Sequence, residues 1–376
     1  MRQLILLLFY TILGFSQQIN VKNFGAKGDG QSDDTAAFTI ALSEINKKYS
    51  LQKKHVILYV PSGEYVITKP ILLNKYISLE GEFVNSTSIK INSTSCEGIL
   101  LEENKTEKDI YNGYNTIKNI SILGPDFNKN PFAWKDVKLN NPKSVGIKIL
   151  GLRNRIENCL IDGFLWSGIE ITSSYYNFLS HNFIKNNRIG ITIDKTSTST
   201  YINNNEIRTN AIGILISNQS YANFINNNIV ESNISNFLEP QKNDEDHNLF
   251  TSGKGILIYK SNTNFIQNNY FEQQTINYVI AESNANEFSS NFIALQTTNS
   301  KNQSIVRFYG KSNDNTLLSN KTVAATPEVD ATKIILSETD DYSSNTIDFG
   351  KEKNKIIKNK FEKNNKNQKF IPTFLN

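Results

Sequence analysis

Cysteine and histidine are too scarce in this sequence to build a metal centre. Two cysteines, Cys96 and Cys159, and three scattered histidines stand in 376 residues, and none falls at the spacing of a zinc site. The repeats place the two cysteines several coils apart, so we expect two buried thiols and no disulfide. The sequence requires no cofactor, and a divalent cation such as Ca2+ stays an open alternative.

An excess of charge of one sign is also missing. Lysine and arginine number 40 against 36 acidic residues, a formal charge of +4. A nucleic-acid partner normally needs a concentrated basic patch, so none is expected. The one biased stretch is residues 351–376, where lysine predominates, and we interpret it as a basic C-terminal tail or cap.

Long apolar runs are absent except at the N-terminus. Arg2 precedes the run Leu4–Leu13, and small or polar residues follow. This pattern is typical of a secretory signal peptide, here residues 1–18, and it is too short for a membrane span. No cysteine follows the run, so we expect a secreted, periplasmic or extracellular protein without a lipid anchor. The sequence does not indicate an oligomeric state.

Most of the chain is built from a repeated six-residue block with an apolar third residue and, mostly, an asparagine at the sixth. Three successive steps between starts are 23 residues long, and the copies are Asn154–Cys159, Asn177–Asn182, Thr200–Asn205, Asn223–Asn228, Asn264–Asn269, Asn286–Asn291 and Asn315–Asn320. A second block, Gly-Ile-x-Ile, keeps the same phase from Gly146, Gly168, Gly190, Gly213 and Gly255. A fixed period of this length indicates a solenoid. Short β-branched runs between Asn-rich turns indicate several strands per coil.

The sequence therefore predicts an all-β fold, a parallel β-helix with coils of about 23 residues over residues 56–350. The third position of each block should form a continuous interior ridge. Asparagine at the sixth position should take the left-handed conformation of a tight corner and bond along the axis to the next amide. Ligand binding by this asparagine column is the alternative, and the structural interpretation is favoured.

Residues 19–55 carry a different pattern, which predicts a cap. In Asn23–Phe38, Asp33 or Asp34 is placed to cap a helix. The helix that follows has one apolar face, made of Ala37, Phe38, Ala41, Leu42 and Ile45. Such a helix can cover the open apolar end of a solenoid.

The stretch Asn23–Phe38, together with Val56–Val60 and Pro61–Tyr65, resembles the opening of the pectate-lyase-like superfamily. That group includes rhamnogalacturonase-like and epimerase-like proteins and many phage tailspikes. The resemblance implies a right-handed β-helix that acts on polysaccharides. The Gly-His-Gly and Arg-x-Lys motifs of polygalacturonases and the Asp-Pro-His-Asp motif of mannuronan epimerases are absent, so the reaction stays open.

One phase of the repeat carries charge, at Asp162, Lys185, Arg208, Glu231 and Glu272. A solvated face with alternating charges is one interpretation. The other is a substrate groove along the helix axis. There Lys185 and Arg208, about 5 Å apart, would neutralise a uronate carboxylate and remove the adjacent proton. Hydrolysis is the alternative, with Glu206 and Glu231 roughly 8 Å apart, inside the range for an inverting pair.

Two coils are too long, and loops on a rigid scaffold commonly carry binding function. The extra residues are centred on Asp126–Ser144, which holds Trp134, and on Ser232–Ser252, which holds His247. These two residues, with Asp162 and Tyr176, are the predicted substrate-binding residues. The catalytic candidates are Lys185, Arg208, Glu206 and Glu231.

Together these features predict a secreted enzyme that degrades a polysaccharide, with an acidic polymer and a lyase reaction favoured. A glycoside hydrolase on the same fold is the first alternative. A non-catalytic glycan-binding or surface structural protein is the second.

Overall fold

The structure is a computed structural model that describes residues 17–49, 54–93, 97–102, 113–125, 144–233, 252–295, 304–324, 333–337, 344–348 and 355–359. These residues form three parallel sheets of stacked strands, one strand per coil in each sheet, with a single α-helix. The fold is the predicted right-handed parallel β-helix.

Each coil passes through three sheets in turn, here named A, B and C. Sheet A contains β1 (Gln17–Asn20), β3 (Val56–Val60), β6 (Ile77–Gly81), β9 (Thr116–Lys118), β12 (Arg155–Glu157), β15 (Phe178–Ser180), β18 (Tyr201–Asn203), β21 (Phe224–Asn226), β24 (Phe265–Gln267), β27 (Glu287–Ser289), β30 (Thr316–Leu318) and β33 (Thr346–Ile347). Sheet B contains β2 (Asp29–Asp33), β4 (Gly63–Ile67), β7 (Thr87–Ile91), β10 (Ser121–Leu123), β13 (Leu160–Asp162), β16 (Phe183–Lys185), β19 (Glu206–Arg208), β22 (Ile229–Glu231), β25 (Tyr270–Glu272), β28 (Phe292–Leu295) and β31 (Lys321–Ala324). Sheet C contains β5 (Ile71–Leu73), β8 (Glu97–Leu101), β11 (Val145–Ile149), β14 (Ser167–Thr172), β17 (Ile189–Asp194), β20 (Ile212–Ser217), β23 (Lys254–Tyr259), β26 (Ile276–Ala281), β29 (Ser304–Tyr309), β32 (Lys333–Ser337) and β34 (Lys355–Asn359).

The interior ridge lies where the third position of the block predicted it. These side chains pair in register from coil to coil and are all 0% exposed: Ile156, Leu179, Ile202, Ile225, Ile266, Phe288 and Leu317. Stacking converts one apolar position per coil into a continuous core.

The asparagine column at the sixth position points inward and bonds along the axis, as predicted. The Asn182 Nδ2 donates to Asn205 Oδ1 at 2.9 Å, and Asn205 donates to Asn228 at 3.0 Å. The predicted left-handed conformation is wrong by one residue. Positive φ occurs at the fifth position, as at Asn204 (58°), because the sixth side chain must turn into the core.

Further buried polar ladders, which sequence analysis missed, support the other corners. The first position of the block forms one ladder, with Asn154 donating to Asn177 at 3.1 Å and Asn264 donating to Asn286 at 3.0 Å. Asn187, Asn210 and Asn233 form another between sheets B and C. Each amide satisfies backbone groups that the corner would otherwise leave buried without partners.

The helix α1 (Thr35–Tyr49) caps the N-terminal end, as predicted. The Thr35 N–H donates to the Asp33 carboxylate at 2.9 Å, so Asp33 is the capping residue. The Asp34 carboxylate instead accepts from the backbone N–H groups of Lys27 and Gly28. The predicted apolar face of α1 is buried in the main core.

The strands extend slightly beyond the predicted boundaries. Gln17 and Gln18 of the predicted signal peptide lie in β1, while residues 1–16 lie outside the described residues. Lys355–Asn359, in the predicted tail, forms β34 and pairs with β32. Cys159 is a buried free thiol, and Cys96 lies outside the described residues.

Candidate functional site

The charged column lies on the outer face of sheet B. Its members are direct register neighbours on five consecutive strands, and they are Asp162, Lys185, Arg208, Glu231 and Glu272. Glu231 and Glu272 are register neighbours although their positions differ by 41, and the second predicted insertion stands between them in the sequence. Side chains point alternately inward and outward along each short strand, so the outward residue at the end of one strand per coil forms the column.

Asp162 is the buried member of this column. It is 3% exposed, accepts from Asn186 Nδ2 at 2.9 Å and lies 3.6 Å from Lys185 Nζ. Burial raises the pKa of Asp162, while Asn186 and Lys185 act in the opposite direction. A buried carboxyl group with a raised pKa is a common feature of catalytic sites.

Arg208 lies between two carboxylates. Its NH1 is 3.0 Å from Glu206 Oε1, and its NH2 is 3.5 Å from Glu231 Oε1. One guanidinium therefore holds both of the carboxylates that were predicted as a hydrolytic pair. All three side chains remain partly exposed, so a ligand can reach them.

The outward side chains at the Asp162 end of the column are buried, and those on the following coils are accessible. The outward side chains of β10 and β13 are buried, and they are Ser121, Leu123, Leu160 and Asp162. On the next two coils Lys185 and Arg208 are 30% and 37% exposed. Asp162 thus marks the point where a covered surface becomes an accessible one.

A line of amides and hydroxyls borders the column where sheet B turns towards sheet C. Asn186 bonds to Asp162 and accepts from Thr209 Oγ1 at 2.8 Å, and Ser232 Oγ donates to Gln273 at 2.8 Å. Both predicted insertions stand in the sequence between a strand of sheet B and the next strand of sheet C, namely between β10 and β11 and between β22 and β23. Such groups suit sugar hydroxyls, which both donate and accept hydrogen bonds.

Of the other predicted substrate-binding residues, Tyr176 is not part of the column. Tyr176 lies at the corner between sheets C and A and is 45% exposed, with the Arg153 guanidinium 4.7 Å from its ring centroid. Trp134 and His247 lie outside the described residues.

A second charged group, which sequence analysis missed, lies on the outer face of sheet C. Lys148 Nζ is 3.1 Å from Glu97 Oε1 and 3.4 Å from Glu170 Oε1. Trp166 Nε1 donates to Glu170 Oε2 at 3.1 Å, and Thr172 Oγ1 donates to Glu170 Oε1 at 3.2 Å. Burial lowers the pKa of Lys148, but Glu170 and Glu97 together raise it above its usual value, which favours a fixed cation over a base.

The second charged group could have been predicted from the third, variable position of the Gly-Ile-x-Ile block. It holds Lys148, Glu170 and Thr192 on three coils and then Leu215 and Leu257. Sheet C therefore accepts apolar side chains at this position, so the fold itself does not require Lys148 and Glu170.

The described residues contain no group of three or more histidine, cysteine, aspartate and glutamate side chains able to hold a metal ion. In the same part of the chain, no helix is long and apolar enough to cross a membrane.

A family comparison agrees with the fold. Residues 18–239, more than half of the chain, match the family described as rhamnogalacturonase A/epimerase, pectate lyase-like. The chain belongs to this family.

Two curated relatives match over part of this chain. A probable glucan endo-1,3-beta-glucosidase of Arthroderma benhamiae is 38% identical over 111 residues, which are 28% of this chain and 12% of the relative. A glucan 1,3-beta-glucosidase of Cochliobolus carbonum is 42% identical over 67 residues, 16% of this chain and 8% of the relative. The matches thus span about an eighth or less of these relatives.

Solved structures share the fold at low identity. DFA-IIIase from Arthrobacter chlorophenolicus A6, in its C387A form with DFA-III, has a TM-score of 0.64 at 12% identity, covering 91% of this chain and 84% of that one. The Dettilon tailspike protein has a TM-score of 0.59 at 13% identity, covering 92% of this chain and 72% of that one. At such identities the likeness describes the fold alone.

Proposed function

We propose that the protein is a polysaccharide-degrading enzyme that hydrolyses glycosidic bonds on the outer face of sheet B. The observation that carries this proposal is Asp162, a buried carboxyl group with a raised pKa at the buried end of an accessible charged column. Family membership and the names of the curated relatives support the substrate class.

Asp162 is the proposed general acid. A proton donor must hold its proton near the working pH, and a raised pKa serves that purpose. Lys185 and Asn186 fix the orientation of the carboxyl group. Lys185 is therefore a positioning residue in this mechanism.

Glu206 is the proposed carboxylate partner. It belongs to β19, two coils from β13 and two residues out of register with Asp162, so the two α-carbons are about 11–12 Å apart. The Glu206 carboxylate accepts from Arg208, which is in register with Asp162, and this turn of the side chain shortens the separation of the two carboxyl groups. Paired carboxyl groups about 6.5–9.5 Å apart leave room for a water molecule and lead to inversion of configuration. Arg208 holds both Glu206 and Glu231. Glu231 lies three coils from Asp162, about 14 Å away, so Glu206 is the base that would activate this water.

The charges of the column favour a neutral polymer. Asp162 holds its proton as the general acid, and the three carboxylates Glu206, Glu231 and Glu272 then stand against Lys185 and Arg208, which leaves an excess of negative charge. An acidic polysaccharide, expected from the two cations alone, would have to displace carboxylates that already bind them. A glucan, the polymer in the relatives' names, meets no such competition.

Elimination remains a second candidate because Lys185 and Arg208 are direct register neighbours. In that reaction Arg208 would neutralise a uronate carboxylate and Lys185 would remove the adjacent proton. A uronate would first have to replace Glu206 or Glu231 at Arg208.

A panel of neutral and uronate polysaccharides tests the proposal. We expect new reducing ends on a neutral glucan, without the absorbance of an unsaturated uronate, and loss of turnover in Asp162→Asn and Glu206→Gln. Glu170→Gln, on sheet C, is the matched control and should keep its activity. Loss of activity in Glu170→Gln alone would place the chemistry on sheet C. Unsaturated products would favour elimination, and binding without turnover would favour a glycan-binding protein.

We also propose that the protein is secreted, which would bring it to a polymer outside the cell. The apolar run Leu4–Leu13 supports export. Protein sequencing of the culture medium should find the chain without its first residues, and retention of intact chain inside the cell would contradict export.

A further inference from the structure

One corner position, between sheets C and A, carries unusually large side chains. The residue there takes a left-handed conformation on nine consecutive coils, with φ between 50° and 66°, at Tyr76, Tyr114, Arg153, Tyr176, Ser199, Ala222, Thr263, Ala285 and Asp314. Asparagine, aspartate and glycine suit this conformation, whereas bulky side chains are disfavoured. The first four coils nevertheless use three tyrosines and an arginine, here called the tyrosine strip (Tyr76, Tyr114, Arg153 and Tyr176).

The fold does not require aromatic residues at this corner. Ser199, Ala222 and Ala285 make the same turn on later coils with small side chains. Backbone strain that persists where smaller residues would serve is a reason to look for function.

The strip consists of two pairs of stacked side chains on four consecutive coils. The rings of Tyr76 and Tyr114 stack with centroids 5.8 Å apart and an angle of 21° between their planes. The Arg153 guanidinium lies 4.7 Å from the Tyr176 ring centroid, and Lys75 Nζ lies 5.8 Å from that of Tyr76. Four consecutive coils therefore present aromatic and cationic groups over about 14 Å along the axis.

Exposed aromatic residues concentrate at this corner. Eight large hydrophobic side chains of the described residues are exposed, and four of them are here, namely Tyr114, Tyr175, Tyr176 and Tyr221. Tyr175 and Tyr221 flank the strip and are linked through Thr198 by isolated bridges. These residues offer ring surface together with hydroxyl groups, which distinguishes them from an apolar protein-docking patch.

We propose that the tyrosine strip is a non-catalytic polysaccharide-binding surface that anchors the protein to polymeric substrate. Aromatic rings pack against the C–H faces of sugars, and tyrosine hydroxyls with Arg153 and Lys75 bond to sugar hydroxyls. The strip follows the axis, so an extended chain can contact several coils at once. The identity of the polymer rests on the proposed function.

The strip is separate from the charged column. Each coil runs through sheets A, B and C in order, so the corner between C and A is the one that does not border sheet B. A polymer segment on the strip therefore does not occupy the column on the same coils. This separation predicts an effect on attachment to polymer and none on cleavage of short soluble substrates.

The double variant Tyr114→Asn with Tyr176→Asn tests the strip. We expect retention on the insoluble form of the hydrolysed polysaccharide to fall about tenfold, as two aromatic contacts are lost. Turnover of a soluble oligosaccharide should not change, and the melting temperature should stay or rise, because asparagine suits the left-handed turn. Phe83→Asn is the matched control, since Phe83 is 64% exposed and lies outside the strip, between β6 of sheet A and β7 of sheet B.

Unchanged retention of the double variant would overturn the proposal, and so would an equal loss in Phe83→Asn. A parallel loss of turnover on the soluble oligosaccharide would also overturn it, because the strip would then belong to the active site. If no polysaccharide is cleaved but the wild type is retained and the double variant is not, the strip is supported and the enzymatic proposal fails.

Discussion

The ammonium group of Lys185 lies 3.6 Å from the carboxylate of Asp162, which is buried on the neighbouring strand. Burial removes most of the water that would stabilise the charge of Asp162, so the carboxylate depends on Lys185 and Asn186. This pair links the stability of the coil to the chemistry proposed for the column.

Asp162→Asn should change the pH dependence of stability. The pKa of Asp162 is raised above 3.8 in the folded protein, so the folded state keeps a proton that the unfolded state loses. The carboxyl group therefore contributes less stability as the pH rises through that interval. Between about pH 4 and about pH 7, the melting temperature of the variant should rise relative to that of the wild type. A difference between the two melting temperatures that does not change with pH would contradict the raised pKa.

Lys185→Ala should destabilise the protein at neutral pH and much less in acid. At pH 7 the variant leaves a buried carboxylate without its cation, which costs about 1–2 kcal/mol. Below the pKa of Asp162 the carboxyl group is neutral and needs no cation. Denaturant titrations at the two pH values measure the difference, and an equal loss at both would show that Lys185 acts by packing alone.

Arg208→Ala should abolish or strongly reduce turnover with little change in stability. Its side chain is 37% exposed, and ion pairs at such sites contribute about 0–1 kcal/mol. The variant releases Glu206 and Glu231 from their shared cation. Full activity on the substrate panel would exclude these residues from catalysis, whereas a lost fold would make Arg208 structural.

Asn205→Ala should destabilise the protein by about 3 kcal/mol or more, because several buried bonds are lost together. The Asn205 amide donates to Leu179 O at 2.9 Å and accepts from the backbone N–H of Asn182 at 3.0 Å. Asn203→Ala, which changes an outward amide two residues away, is the control and should cost under about 0.5 kcal/mol. Equal effects in calorimetry would contradict a structural role for the ladder.

The fold was predictable because its determinants recur in every coil. Once the period of the repeat is known, the apolar third position and the inward asparagine at the sixth position can be recognised. The left-handed residue was misplaced by one position because asparagine suits both roles, as Asn204 and Asn205 illustrate.

The site was predictable only in part. The phase of the repeat placed Lys185 beside Arg208, but the partners of each cation depend on side-chain conformation and burial. Nothing local marks Asp162 as buried while Lys185 on the next coil is accessible. The group around Glu170 escaped notice because it spans strands in sheet C whose sequence similarity is confined to the Gly-Ile-x-Ile block.

Product analysis of the wild type beside Asp162→Asn is the decisive experiment for hydrolysis at the charged column. With a neutral glucan, we expect new reducing ends of inverted anomeric configuration from the wild type and none from the variant at equal folded concentration. Unsaturated products, or undiminished cleavage by Asp162→Asn, would contradict hydrolysis at the charged column of sheet B.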